Sequence, residues 1–329
     1  MLSSLVIGII CIAFTFDFFN GFHDAANSIT TVVSTRVLPP VGAVTLAAFF
    51  NFMAFVLFGV AVATTIGSGI VSPSAIDPYV ILAALIGAIT WDIVTWFFGL
   101  PTSSSHALIG GLVGAAVLKA GAGVLEWAGL SKTLEFMVIS PAAGFAVAFA
   151  LMTLLMSAFR KKSSSLLNRY FKRLQLISSS LVSLAHGSND AQKTMGVVTA
   201  LLVATGGLST FHVPLWVVFA SYGSIAFGTF FGGWRIVKTM GFRITKLDPI
   251  HGFSAETASA AVIMSSSLMG IPVSTTHCVS GSIMGVGATK SLSSVRWGVA
   301  RRIIWTWIIT IPMAAIISAA SYYAIVHLL

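Results

Sequence analysis

Four short stretches carry the residues that could do chemistry in this chain. "LPTSSSHALIGGLVG" (100–114) and "IPVSTTHCVSGSIMG" (271–285) each place Ser and Thr, then a histidine, shortly after a proline. "NGFHDAANSI" (20–29) and "HGSNDAQKTM" (186–195) each hold one aspartate among amides and hydroxyls. A helix interrupted at Pro101 or Pro272 and restarted on a Ser/Thr cap leaves its first N–H groups unpaired and presents the positive end of its dipole. Hydroxyls of Ser103, Ser104 and Ser105, and of Ser274, Thr275 and Thr276, add donors at the same spot. That combination suits a tetrahedral oxyanion, and Asn27 and Gln192 are expected to join the anion ligands.

The aspartates point to a different partner. Asp24 is surrounded by Asn20, Asn27 and Ser28, and Asp190 by Ser188, Asn189, Gln192 and Thr194. Gly21 and Gly187, just ahead of them, are expected to permit an unwound turn. A carboxylate among neutral oxygens suits a hard cation or a proton whose binding is tuned by burial. Five of the nine acidic residues, Asp17, Asp24, Asp92, Asp190 and Glu256, lie in or beside apolar segments, where a carboxylate is costly and marks a functional site. Asp24, Asp190, Asn20, Asn189, Asp92 and Glu256 are therefore the candidate coupling-ion residues, for Na⁺ or H⁺. Asp17 falls at the end of its segment and reads as an interface residue. His23, His106, His186 and His277 lie in the four motifs and suit a proton relay or a structural brace, the brace being the simpler role for His106 and His277. No cluster has zinc-ligand spacing, so the one metal expected is Na⁺ at Asp24 and Asp190. No Walker sequence is present, which gives no support to ATP-driven pumping, and no cofactor beyond the coupling ion is expected.

The elements that must position these residues follow from composition. Hydrophobic residues make up 57% of the 329 and charged residues 8%, far from the roughly 25% charged of soluble domains. The continuous apolar runs predict an all-α polytopic membrane protein rather than a β-barrel. Ten elements are expected, over 3–20, 41–66, 79–99, 103–118, 136–159, 176–202, 213–233, 251–270, 274–289 and 303–327. No Lys or Arg precedes Arg36, so the first element is expected to stay as a membrane helix rather than be cleaved as a signal peptide. The basic stretch "RKKSSSLLNRYFKR" divides the chain into a first repeat (1–159), a linker (160–175) and a second repeat (176–329).

The two halves are copies. The aspartate motifs align with a shift of 166 residues and the proline motifs with a shift of 171. Five elements per half force the copies into opposite orientations. With the N-terminus outside, 15 of the 18 Lys and Arg fall in inside loops, as the positive-inside rule requires. Both termini are thus expected outside and the linker in the cytoplasm, in a cell inner (plasma) membrane. The net charge of +9 reports this topology, and no nucleic-acid partner is expected. Inverted repeats with broken helices near the midplane are the mark of a secondary transporter. An anion channel would use the same helix ends without concentrating its substrate. An intramembrane hydrolase would use Ser and His but would not need two inverted copies of its site.

Together "FDFFNGFHDAANSI", "GLPTSSSHALIGG", "LAHGSNDAQKTMG" and "GFSAETASA…GIPVSTTHCVSGSIMGVG" resemble the motifs of the inorganic phosphate transporter family, over both halves from about Phe16 to Lys290. The resemblance implies import of inorganic phosphate coupled to Na⁺ or H⁺, in some bacterial members as a neutral metal–phosphate complex. It also implies an inverted-repeat fold with helical hairpins around a central site, and a homodimer in membrane lipid. Phosphate would map onto Ser103–Ser105 and Ser274–Thr276, with the Asp24 and Asp190 motifs supplying ligands and cation sites. A transporter of another oxyanion, such as sulfate, is the nearest alternative.

Overall fold

A computed structural model describes residues 3–56 and 59–328, and among them it contains twelve α-helices and no strand. The first half comprises α1 (Ser4–Ser34), α2 (Pro40–Met53), α3 (Ala61–Ser68), α4 (Pro78–Phe98), α5 (Ser104–Ala120) and α6 (Trp127–Ala158). The second half comprises α7 (Ser164–Ala204), α8 (Leu215–Phe231), α9 (Trp234–Phe242), α10 (Pro249–Leu268), α11 (Thr275–Ala288) and α12 (Trp297–Leu328). Each half therefore has six helices rather than five elements. The extra pieces are α3, where the stretch expected as a single span over 41–66 gives α2 and then α3, and α9, which follows α8 beyond the end of the element expected over 213–233. Among the described residues four helices are long and apolar enough to cross a membrane, or up to six when each of two bent pairs, α2 with α3 and α8 with α9, is counted as one span.

The two breaks expected at the prolines are present, and their chemistry repeats. α4 ends on Gly99 at φ 64° and α10 gives way to Gly270 at φ 68°. Both angles lie in the left-handed region that glycine enters at least cost. Pro101 and Pro272 follow, and then each new helix starts on a capping serine. The opposite ends of these hairpins are latched alike. Lys119 Nζ lies 2.6 Å from Asp77 and Lys290 Nζ 3.1 Å from Asp248, the aspartates being the N-cap residues of α4 and α10.

The first half departs from expectation at its motif. α1 does not end at residue 20 or unwind at Gly21; it continues as one helix to Ser34. α7 likewise starts at Ser164, inside the stretch read as a linker, and runs unbroken through Gly187. Asn20, Asp24 and Asn27 fall at i, i+4 and i+7 on one face, where neighbouring helices supply their partners, so the helix has no need to open. Gly21 serves packing instead: a Cβ there would collide with the Ile225 carbonyl on α8.

The halves are interlocked rather than side by side. α12 packs on the α4–α5 hairpin, and α6 packs on the α10–α11 hairpin. α1 packs on α8, α7 on α2 and α3, and α1 and α7 meet each other. Two apolar cores result. One gathers the N-terminal half of α1, the C-terminal half of α7, α3, α4, α5 and α8. The other gathers the C-terminal half of α1, α2, α9, α10, α11 and the start of α12. α1 and α7 run through both, and their motifs fall at the junction between the cores.

Candidate functional site

The two half-helix starts come together at that junction. Ser103 Oγ accepts from the His106 N–H at 3.3 Å and Ser274 Oγ from the His277 N–H at 3.1 Å, so the first serine of each run is an N-cap. The following hydroxyls reach across the molecule. Ser104 donates to Asn20 Oδ1 at 2.6 Å and Asp24 Oδ2 at 3.2 Å. Thr276 donates to Asp24 Oδ1 and Thr275 to Asp190 Oδ2, both at 3.3 Å. Asn27 Nδ2 donates to Thr275 and Thr276 at 3.1 and 2.9 Å. Ser105 donates to the Val273 carbonyl at 3.3 Å, and the His106 and His277 rings meet edge to face at 4.8 Å. All of these residues are buried. Two serine and threonine runs separated by 171 positions thus form one lining.

The carboxylates sit directly beneath. His23 Nδ1 donates to Asp24 Oδ1 at 2.6 Å, and its Nε2 faces Thr95 and Thr102 at 3.2 and 3.3 Å. Lys193 Nζ donates to Asp190 Oδ1 at 2.6 Å. His186 Nδ1 donates to Asn51 Oδ1 at 3.2 Å, leaving Nε2 3.4 Å from Asp190 Oδ2. Asp24, His186 and Asp190 each offer a ligand atom within 4.8 Å of the others. Two buried carboxylates this close favour a cation between them.

Other expected site residues lie elsewhere. Gln192 Oε1 accepts from the Val62 N–H at 2.9 Å and its Nε2 donates to the Ser188 carbonyl at 2.6 Å. It caps α3 instead of facing the paired helix ends. Asn189 is tied to the α10–α11 break, donating to Ser267 at 2.9 Å. Asp92 is buried on α4 with neither oxygen hydrogen-bonded, and Asp17, read as an interface residue, is in fact fully buried and equally unpartnered. Glu256 stands apart from the pair, gripped by Thr31 from α1 and by Gln175 and Ser178 from α7. It reads as a clamp. Glu256→Ala strands three buried donors, so we expect about 3 kcal/mol lost from stability, seen as a lower unfolding temperature in detergent. An unchanged midpoint would rule out the clamp.

Thr95, Thr102, Asn51 and Lys193 were not among the sequence-derived candidates. Thr102 lies inside the proline motif and could have been included on spacing alone. Thr95 and Asn51 are isolated polar residues in largely apolar helices, and nothing in their local sequence distinguishes them from residues that make packing hydrogen bonds.

Comparison with known proteins matches this arrangement. The family profile described as the phosphate transporter family matches residues 20–169 and again 157–318, once for each half. A protein of Rhizobium meliloti (strain 1021) named "Probable low-affinity inorganic phosphate transporter" is 54% identical over 97% of this chain and 96% of its own length. A Bacillus subtilis (strain 168) protein of the same name is 43% identical over the same shares. A solved structure named "The sodium-dependent phosphate transporter" superposes with a TM-score of 0.90 at 26% identity, covering 99% of this chain and 100% of that one. Two interlocked copies of one six-helix unit, their broken helices meeting over paired aspartates, belong to a membrane transport protein of the phosphate transporter family, and this chain is a member of it.

Proposed function

We propose that the protein imports inorganic phosphate by alternating access, driven by an inward Na⁺ gradient. The observation that carries this reading is the convergence of two half-helix starts from opposite repeats over the Asp24–Asp190 pair. Phosphate would dock against the first N–H groups of α5 and α11, with Ser104, Ser105, Thr275, Thr276 and Asn27 as side-chain donors. In the present structure Thr276 turns its hydroxyl proton to Asp24, and Ser104 shares its proton between Asn20 Oδ1 and Asp24 Oδ2. A cation held by Asp24 and the Asn20 oxygen neutralises the carboxylate, occupies those acceptors and frees both hydroxyls to turn to the anion, so the cation binds first. One repeat then rocks against the other about the site. Sodium is favoured over protons by the neutral oxygens around Asp24 and by the sodium dependence that the solved relative's name states. The basic segment 160–175 faces the cytoplasm in this scheme, with both termini outside.

Labelled-phosphate uptake into proteoliposomes tests the reading. Uptake above equilibrium is expected under an inward Na⁺ gradient, with excess sulfate leaving it intact. Mere equilibration would make the protein a channel. Uptake driven only by a pH gradient would make the ion H⁺, and competition by sulfate equal to that by phosphate would remove the substrate assignment.

A further inference from the structure

One difference between the two aspartate motifs changes the charge in the middle of the site. The shift of 166 that superposes Asp24 on Asp190 also superposes Asn27 on Lys193. The nearest partners of the two aspartates are otherwise alike in kind, although a His and an Asn trade places between the motifs, His23 against Asn189 and Asn20 against His186. Each faces a histidine, His23 or His186, and each accepts a hydroxyl from the start of α11, Thr276 or Thr275. The residue three positions on differs. On α1 it is Asn27, whose Oδ1 is buried and accepts no hydrogen bond, an oxygen available to a cation beside Asp24. On α7 it is Lys193, whose Nζ lies 2.6 Å from Asp190 Oδ1 with both side chains at 0% exposure. Among the described residues Lys193 is the one Lys or Arg that is buried.

We propose that the Lys193 ammonium is a resident substitute for a second coupling cation, so that the protein moves one monovalent cation fewer per phosphate than its two-fold plan provides for. The inference rests on the reading of Asp24 and Asp190 as the cation-coupling pair. The chemistry of the exchange is direct. A buried carboxylate at Asp190 needs a positive partner, and an ammonium or a sodium ion supplies the same single charge at nearly the same contact distance. They differ in one respect that matters for transport. The ammonium is tethered to α7 and stays with the protein through the cycle, whereas a sodium ion would enter on one side and leave on the other. The carboxylate at Asp24 has no such tether: its hydrogen-bond donors are His23, Ser104 and Thr276, and its exchangeable cation must come from solution.

The test compares wild type with Lys193→Asn in proteoliposomes, counting labelled sodium and labelled phosphate moved under one imposed sodium gradient. Lys193→Asn restores the residue that the other repeat uses, so the sodium-to-phosphate ratio is expected to rise by one ion and the sodium dependence of uptake to steepen. The double change Asp190→Asn with Lys193→Asn removes the carboxylate and is expected to gain no ion. An unchanged ratio in Lys193→Asn overturns the proposal, as does a gain in the double variant. A raised phosphate KM with no added sodium dependence also overturns it, because Lys193 would then be a phosphate ligand. If Lys193→Asn folds but does not transport, thermal unfolding in detergent decides: stabilisation by sodium over choline must exceed that of wild type, and equal stabilisation refutes the substitution. Absence of any cation-driven uptake by wild type would instead overturn the symport reading, an outcome seen before any variant is measured.

Discussion

Asp24→Asn is expected to give a protein that folds, elutes as wild type does from size exclusion, and has lost phosphate uptake by about 100-fold, toward the upper end of coupling between two ligand sites. Asparagine keeps the shape of aspartate, so the packing of α1 between the two cores is undisturbed. It removes the charge that would hold the coupling ion, and its amide nitrogen adds a donor where His23, Ser104 and Thr276 already donate. Uptake within a few-fold of wild type would remove Asp24 from the coupling role. Asp190→Asn differs in kind. It leaves the Lys193 ammonium buried without its counter-charge, and breaking a buried pair from one side costs about 3–5 kcal/mol. That variant should lose stability before transport can be read. By sequence the two aspartates are equivalent; by environment Asp190 is paired with the Lys193 ammonium, whereas the donors to Asp24 are a histidine and two hydroxyls.

The second large effect is on folding. Gly114→Val and Gly285→Val are each expected to cost about 3 kcal/mol or more, the upper part of the range for overpacking, with a sharp fall in folded protein recovered from the membrane. The cause is a repeated close approach. A Cβ at Gly114 would run into the Ala315 carbonyl of α12, and one at Gly285 into the Phe145 carbonyl of α6. Gly110 and Gly281 make the same approach one turn earlier, against Ile311 and Pro141. The obstructing atoms are backbone and cannot rotate away, and without a hydrophobic drive between helices in lipid such close packing carries much of the association. Gly123, with open space around its Cβ position, serves as the neutral control: Gly123→Ala should leave the unfolding midpoint where it is. Wild-type stability in Gly114→Val would mean that α5 and α12 can separate at no cost.

Much of this protein is legible in its residue order because the determining signals are local. Apolar length specifies a membrane protein, and Pro101 and Pro272 with their serines specify where two helices must stop and restart, since a missing N–H and a capping hydroxyl act within a single turn. The duplication is legible for the same reason, because each copy of a motif is read within one short stretch of residues. The shared lining was visible as two runs, Ser103–Ser105 and Ser274–Thr276, whose meeting the tertiary structure then supplied.

What the order of residues could not decide depended on partners far along the chain. Gly21 reads locally as a place to unwind, and only the Ile225 carbonyl packed against it shows that its purpose is close approach within a continuous helix. Gln192 and Glu256 read as site ligands by type and burial. The first caps α3 from 130 positions away, and the second is held by residues of α1 and α7. The exchange of α6 and α12 between the halves leaves no trace in either helix alone. A buried polar group must find a partner wherever the chain brings one within reach, and which partner that is belongs to the packing of distant segments, so motif and break are written in the sequence while the division of polar residues between site and scaffold is made by the fold.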